Sequence, residues 1–565
     1  MVAALLLLVV VVLAVVGIRR AVGGERGPVT EAHAIRRFFQ YLLLYGSLVV
    51  MAVGLAGLLG RVLDRDPIMA ADDVELARNL AFTVVGVPLY AGLALWSRRR
   101  LLADPLERTS IGWAFYVTVA SVTSLIVAIT GLQSALGWAF DLAPADPRAL
   151  ARFIVWGGVW AVHWWLHIRL VPVDRSRVHH LAGSLIGLVT AATGLATLLG
   201  GALWMLFFSG TDAVLSGGDE ALRGAVTLAV GAPVWFLYWV RTASRGQRDP
   251  LWLAYVLLAG VAGGLVTALV SASTVLYSAL VWFLGEPQFS NAVRHFNDAP
   301  WAAGAAVTGT VLWWYHQAVL EEVHLPARTE VRRVYEYLMS AIGLLAAAAG
   351  LTILVVAGIE ASTSSDAQIL GQSAVNTLLA SATLLVVGAP VWWFYWHRIQ
   401  RAVQLLPADE VASPTRRAYL LVLFGVGGVA AAVALLVGVY LFFEDAVQGT
   451  LGAETLYSMR VPIGILLSTG AIAAYHWAVH QSSRAAAPVS VRGPRYVLLV
   501  GPPDPEIAKA VAHATGGRVQ AWSTEGTGTP WSVEAVLAAI AAAPDEEVLV
   551  LSDASGVHAI PVHRR

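Results

Sequence analysis

The chain has 565 residues, of which 58% are hydrophobic and only 13% charged, and its mean hydropathy is +0.68. A soluble globule carries about 45–50% apolar and about 25% charged residues, so this is the composition of a polytopic membrane protein. The 37 basic and 37 acidic residues cancel, leaving no electrostatic case for a nucleic-acid partner; the absence of cysteine removes disulfides, thiolate metal sites, iron–sulfur clusters and cysteine nucleophiles.

Val2 to Ile18 is an unbroken apolar run, long enough to cross about 30 Å of hydrocarbon. No basic segment precedes it as in a secretory signal, so residues 1–18 read as an uncleaved anchor with its N-terminus outside, cleavage being the alternative. From Arg36 to Arg484 six helical hairpins follow. Their first helices start near Phe38, Ile111, Leu181, Leu251, Tyr335 and Tyr419, and their second near Leu80, Phe153, Ala225, Ala302, Leu378 and Val461. The odd hairpins close with one motif: Val85-Gly-Val-Pro-Leu-Tyr, Val230-Gly-Ala-Pro-Val-Trp and Val387-Gly-Ala-Pro-Val-Trp. The even hairpins lack that proline and carry His163, His316 or His476 near the same depth. The motif glycines are 145 and 157 residues apart and the histidines 153 and 160. The repeating unit is therefore a pair of hairpins present three times, over about 34–170, 175–320 and 330–484, which with the anchor makes 13 spans.

Arginine in short loops sets membrane orientation. Loops between hairpins hold 22 arginines and turns inside hairpins hold 8, so the inter-hairpin loops and the C-terminus are expected in the cytoplasm. The first helix of the fourth hairpin, Leu251 to Leu284, overruns one bilayer; its surplus tilts or lies along the outer surface.

After a linker at 485–493, residues 494–565 alternate strand-like and helical patterns in the order βαβαββ, a small, mostly parallel α/β domain. Asp504-Pro505 caps its first helix. About 70 residues form a marginal core, so docking on the cytoplasmic loops is expected. Gly501-Pro-Pro-Asp-Pro-Glu506 sits where a phosphate loop would lie but lacks the second glycine and the lysine.

The basic-aromatic starts Arg36-Arg37-Phe-Phe-Gln-Tyr and Arg332-Arg333-Val-Tyr-Glu-Tyr, followed by the Val-Gly-x-Pro-x-Trp helix, carry a resemblance. Over residues 34–484 the chain resembles a bacterial integral-membrane domain family classed only as a domain of unknown function. The resemblance implies a multi-pass fold in the bacterial cytoplasmic membrane, and no activity, substrate or catalytic residue.

Three features are weighed as sites. His163, His316 and His476 are candidate cofactor ligands for haem or a metal, or members of a proton relay; the competing reading places them in an aromatic interfacial belt, with their nitrogens toward headgroups, a Trp-lined interface or a loop carbonyl. No pair of intramembrane histidines from different repeats is expected to bring ring nitrogens within the roughly 4–5 Å that sharing one metal needs. Gly86/Pro88, Gly231/Pro233 and Gly388/Pro390 are expected to kink their helices and pack closely, although transporters build midplane sites from such broken helices. No Asp, Glu, Lys or Arg falls in the deep apolar part of the twelve repeat helices, against an ion-coupled transporter.

The reading is an all-α membrane bundle with a cytoplasmic α/β domain, acting as a non-catalytic scaffold or signal-coupling module. The alternatives are a transporter or channel using the proline helices, and a haem-binding redox protein. The expected partners are membrane lipids and a cytoplasmic protein met through residues 494–565, with no nucleic acid, no catalytic or metal-binding residue and no cofactor.

Overall fold

The computed structural model describes residues 28–64, 73–208, 217–321, 329–363, 373–405, 410, 413–486, 494–504, 506–524, 530–542, 547–553 and 556–562. The expected anchor at 1–18 lies outside them. Two compact units are formed, Met1–Ile399 with Arg417–Ala473, and Gln400–Arg416 with Ala474–Arg565.

Twelve long helices follow in the expected order: α1 (Pro28–Leu63), α2 (Asp73–Ala103), α3 (Ile111–Ala139), α4 (Pro147–Leu170), α5 (Arg177–Phe208), α6 (Gly217–Trp235), α7 (Pro250–Leu284), α8 (Ala299–Glu321), α9 (Glu330–Thr363), α10 (Ala374–Leu405), α11 (Pro414–Gln448) and α12 (Arg460–Ala486). Among the described residues, ten are long and apolar enough to cross a membrane. The other two, α4 and α8, have 24 and 23 residues, and their histidines, tryptophans and glycines lower the apolar average. Starts are locally encoded. Ser110 caps α3 by accepting from Trp113 N at 3.2 Å, and Asp146 caps α4 with Pro147 at the first turn. The long seventh helix runs without a break over 35 residues.

The motif glycines are contact points. A β-carbon on Gly231 would lie 2.5 Å from the backbone nitrogen of Ala191, and one on Gly187 would lie 2.4 Å from that of Trp235. Each glycine thus meets the residue four positions beyond the other glycine, a reciprocal contact that only a missing side chain permits. Gly388 with Ala347 and Gly343 with Trp392 repeat it at 2.8 and 2.4 Å. In the first hairpin Gly86 meets Met51 N at 2.8 Å, and buried Ser47 replaces the second glycine. The α7–α8 hairpin uses the same device with Gly264 and Gly309.

Within each repeat the first helix also packs on the fourth. Ala52 and Ala56 of α1 meet Trp156 of α4. A β-carbon on Gly304 of α8 would lie 2.6 Å from the carbonyl of Ala196 in α5, and Thr352 of α9 hydrogen-bonds Ser468 of α12 at 2.7 Å. Consecutive repeats are joined by Leu125 and Ile129 against Val230 and Tyr238, and by Met339 and Tyr335 in one core with Trp252 and Val256.

The prolines behave unequally. Pro88 and Pro390 lie inside uninterrupted α-helices, whereas a π-helical turn, Phe236–Val240, begins three residues after Pro233. A second π-helical stretch, Tyr255–Ala262, occurs in α7, where the one proline, Pro250, stands at the first position and none lies in the helix interior.

In the second unit, β1 (Tyr496–Gly501), α13 (Ile507–Thr515), β2 (Arg518–Ser523), α14 (Val533–Ala542), β3 (Glu547–Asp553) and β4 (Gly556–Pro561) give the expected order. The sheet runs β2-β1-β3-β4, parallel except for β4. Val497, Leu499, Val548 and Val550 meet Ile507 and Val511 of α13 and Val536 and Ile540 of α14 in one core, so both helices lie on one face of the sheet.

Candidate functional site

Near the helix ends that the arginine count assigns to the cytoplasm, the membrane unit buries Gln40, Glu107, His163, His167, His179 and Glu336. His163 and His316 are 1% and 0% exposed, so of the surroundings expected for them both rings face the aromatic interior of the bundle and not headgroups. His476, in the second unit, is buried as well. Hydropathy hid this because Trp156, Trp160, His163 and His167 form one stripe of α4, at spacings of four, three and four, and that stripe faces inward.

His163 Nδ1 lies 2.8 Å from the carbonyl of Val159 one turn back, and His316 Nδ1 makes the same contact with Leu312 at 2.8 Å. A carbonyl only accepts, so Nδ1 carries the proton and Nε2 presents its lone pair to the bundle. Tyr116 OH donates to His163 Nε2 at 2.9 Å, and Tyr90 OH, 3.4 Å away, donates to Tyr116. Tyr255 occupies the place of Tyr116 in the second repeat. Its hydroxyl accepts from Trp235 Nε1 at 3.2 Å instead, and His316 Nε2 has no partner among the described residues. The His316 ring sits among Trp235, Trp239, Tyr255 and Tyr315. A β-carbon on Gly260 would fall 2.2 Å from it, so the π-helical stretch of α7 and its glycine make room for the imidazole. Two π-helical segments flanking one buried histidine form the most irregular part of the membrane unit, and such segments favour functional positions.

A second cluster was not legible. His167 of α4 and His179 of α5 stack with ring centroids 3.8 Å apart, and His180 stands edge-on to His167 at 4.9 Å. The pair joins the first repeat to the start of the second, and its rings lie face to face rather than with their nitrogens turned toward one shared point. His167 and His179 are buried, and His167 Nδ1 and both nitrogens of His179 lack partners among the described residues. The sequence reading placed His179 and His180 in a loop and began the helix at Leu181; the helix begins at Arg177, which turns both onto the face of α4. Among the described residues no three donors are arranged to hold a metal ion.

Arginine–carboxylate clamps complete this layer. Glu107, 1% exposed on the one-turn helix Pro105–Arg108, accepts from Arg37 Nε at 2.9 Å, Arg36 Nη2 at 3.3 Å and Tyr41 OH at 3.2 Å. In the second repeat Arg177 holds Asp249 and Gln247 at the same loop. In the third, buried Glu336 meets Arg332 and Arg398 at 3.4 and 3.5 Å. In the first two repeats the arginines at the start of the first helix thus staple the following loop, whereas in the third Glu336 of that helix is held by its neighbour Arg332 and by Arg398 of α10.

Two clefts lie in the membrane unit, one of about 610 Å³ beside His180, Arg177 and Asp249, and one of about 560 Å³ beside Asp146 and Arg223. Neither is lined by Pro88, Pro233 or Pro390, and neither reaches His163 or His316. In the tail, the carboxyl ends of β1 and β3 are where an open α/β sheet binds ligands. Trp531 fills that place: a β-carbon on Gly501 would lie 2.6 Å from its ring, and its Nε1 donates to the carbonyl of Pro502 at 2.7 Å. Asp504 takes the free amide of Glu506 at 2.9 Å, leaving negative charge where a phosphate would sit.

The three repeats match the domain of unknown function DUF5671 at residues 37–162, 177–315 and 333–488. The chain belongs to that family. No curated protein and no solved structure matches it. The DUF5671 segments coincide with the three pairs of hairpins, each beginning at or next to a clamp arginine: Arg37, Arg177 and Arg332. The family description carries no activity.

Proposed function

We propose that this DUF5671 chain is a membrane scaffold of thirteen spans, its N-terminus outside, which couples to protein partners through a cytoplasmic tail at 494–565. The observation that carries the reading is the reciprocal glycine packing. Where a transporter would open space between proline helices, Gly187, Gly231, Gly343 and Gly388 instead bring backbones into direct contact. The tail agrees, because Trp531 and Asp504 occupy the positions at which a small ligand would bind. Exposed Leu421, Val429, Leu436 and Phe443 along α11 suit a lipid-facing surface.

The test compares the full chain with one truncated before residue 494, both extracted in mild detergent and resolved by native electrophoresis. A higher-mass assembly that depends on the tail is expected. Identical migration apart from the lost mass, together with solute flux through proteoliposomes of the full chain, would replace the scaffold by a channel or transporter.

A further inference from the structure

Residues 168–180 and 241–250 meet at the boundary between the first and second repeats. They carry six arginines against Asp174 and Asp249, a net charge of +4 with the histidines neutral. Between them lies the cleft of about 610 Å³. Most of its polar lining is already engaged. Arg177 holds Asp249 and Gln247, and Arg175 lies 3.5 Å from Asp174. Ser176 and Thr242 donate their hydroxyl protons to the carbonyls of Val173 and Tyr238. The guanidinium of exposed Arg245 and the ring nitrogens of His180 have no hydrogen-bond partner among the described residues. What the cleft lacks is an acceptor oxygen. We propose that it seats one anionic phospholipid of the surrounding leaflet, with the phosphate against Arg245 and His180 and an acyl chain along Leu181, Leu185 and Val189.

Position and charge select that occupant. Arg177 and Leu181 of α5 line the cleft, and the same helix face continues at four-residue steps through Leu185 and Val189, which are 44% and 57% exposed. One stripe of α5 therefore passes from a charged head to an apolar rail. From Leu181 to Val189 the helix rises about 12 Å, within the roughly 15 Å depth of one leaflet of hydrocarbon. A soluble phosphate has no use for that rail, whereas an acyl chain does. The cleft lies at the helix ends that the arginine count assigns to the cytoplasm. That leaflet is the anionic one, and basic pockets between helices on that side take its head groups. A surplus of four positive charges favours a head group with net negative charge over a zwitterion. A guanidinium and an imidazole N–H are both donors, and phosphate oxygens accept from both. A lipid held this way bridges the start of α5 to the loop before α7.

Full-length protein in a neutral detergent is titrated with phosphatidylglycerol and, separately, with phosphatidylcholine of the same acyl chains. The first bound lipid is read by native mass spectrometry. Phosphatidylglycerol is expected to bind more tightly. Arg245→Gln, at an exposed position, should weaken its binding about fivefold, the loss that goes with one cation near an anionic head group. Arg99→Gln removes the same charge from an exposed position at the end of α2 and should leave binding unchanged. Inorganic phosphate in millimolar excess should not displace the lipid. Equal binding of the two lipids, equal loss in the two variants, or no loss in Arg245→Gln would overturn the inference. Displacement by inorganic phosphate would overturn it too, by making the cleft a site for a soluble phosphate. The scaffold reading stands or falls on the tail truncation and is untouched by any of these results.

Discussion

Gly187 and Gly92 make the same substitution mean opposite things. A β-carbon on Gly187 runs into the backbone of Trp235 at 2.4 Å, where no side chain can swing away, while one on Gly92 meets nothing within 4 Å. Gly187→Ala should cost about 1–3 kcal/mol through forced separation of α5 and α6. Gly92→Ala, at a helical site with open space, should stabilise by about 0.5–1 kcal/mol. Unfolding of the two variants in the same detergent checks both signs. The buried hydroxyl of Tyr116 offers a second test: Tyr116→Phe leaves His163 Nε2 without its donor, at about 1–3 kcal/mol. Glu107→Ala strands Arg36 and Arg37, which are partly exposed, so about 3 kcal/mol is expected, at the low end for a broken buried pair. At this scale the sequence was legible where spacing repeats. The glycines stood out because they recur in copies, and their geometry then explained the motif. His179 and His180 did not stand out because they occur in one repeat only. The buried tyrosines Tyr116 and Tyr255 were invisible for another reason: aromatic residues near helix ends look the same whether they face lipid or a neighbouring histidine.

At the scale of the element, hairpin order, the three-fold repeat and the strand and helix order of the tail could all be read from hydrophobic patterning. The irregularities could not. A proline in a helix removes a hydrogen bond and clashes with the carbonyl four residues back, which led to equal expectations for Pro88, Pro233 and Pro390. Among the described residues a π-helical turn follows Pro233 alone of the three, and α7 carries a π-helical stretch with no interior proline. The shared circumstance is His316, whose ring is pressed between Gly260 on one π-helical stretch and Trp239 on the other. The π-helical turn Phe236–Val240 is thus a packing feature of the second repeat rather than a property of proline. His316→Ala should therefore relax that turn, while Pro233→Ala should leave it in place. Amide hydrogen exchange over 236–240 and 255–262 distinguishes them: faster exchange is expected in His316→Ala alone. Equal effects of both substitutions would return the turn to the proline.

The whole molecule carries three DUF5671 segments in its closely packed helices and a small α/β tail whose two helices cover one face of the sheet. The open face was not legible in sequence, since alternation in β1 and β3 is continuous apolar and does not say which side the helices take. The reading depends on where the tail lies. Its direct measurement is cysteine labelling of the otherwise cysteine-free chain in intact cells, with a maleimide that cannot cross membranes. Thr450→Cys, between α11 and α12, should label in intact cells, and Glu534→Cys in the tail only after permeabilisation. Labelling of Glu534→Cys in intact cells would place the tail outside and contradict the cytoplasmic scaffold.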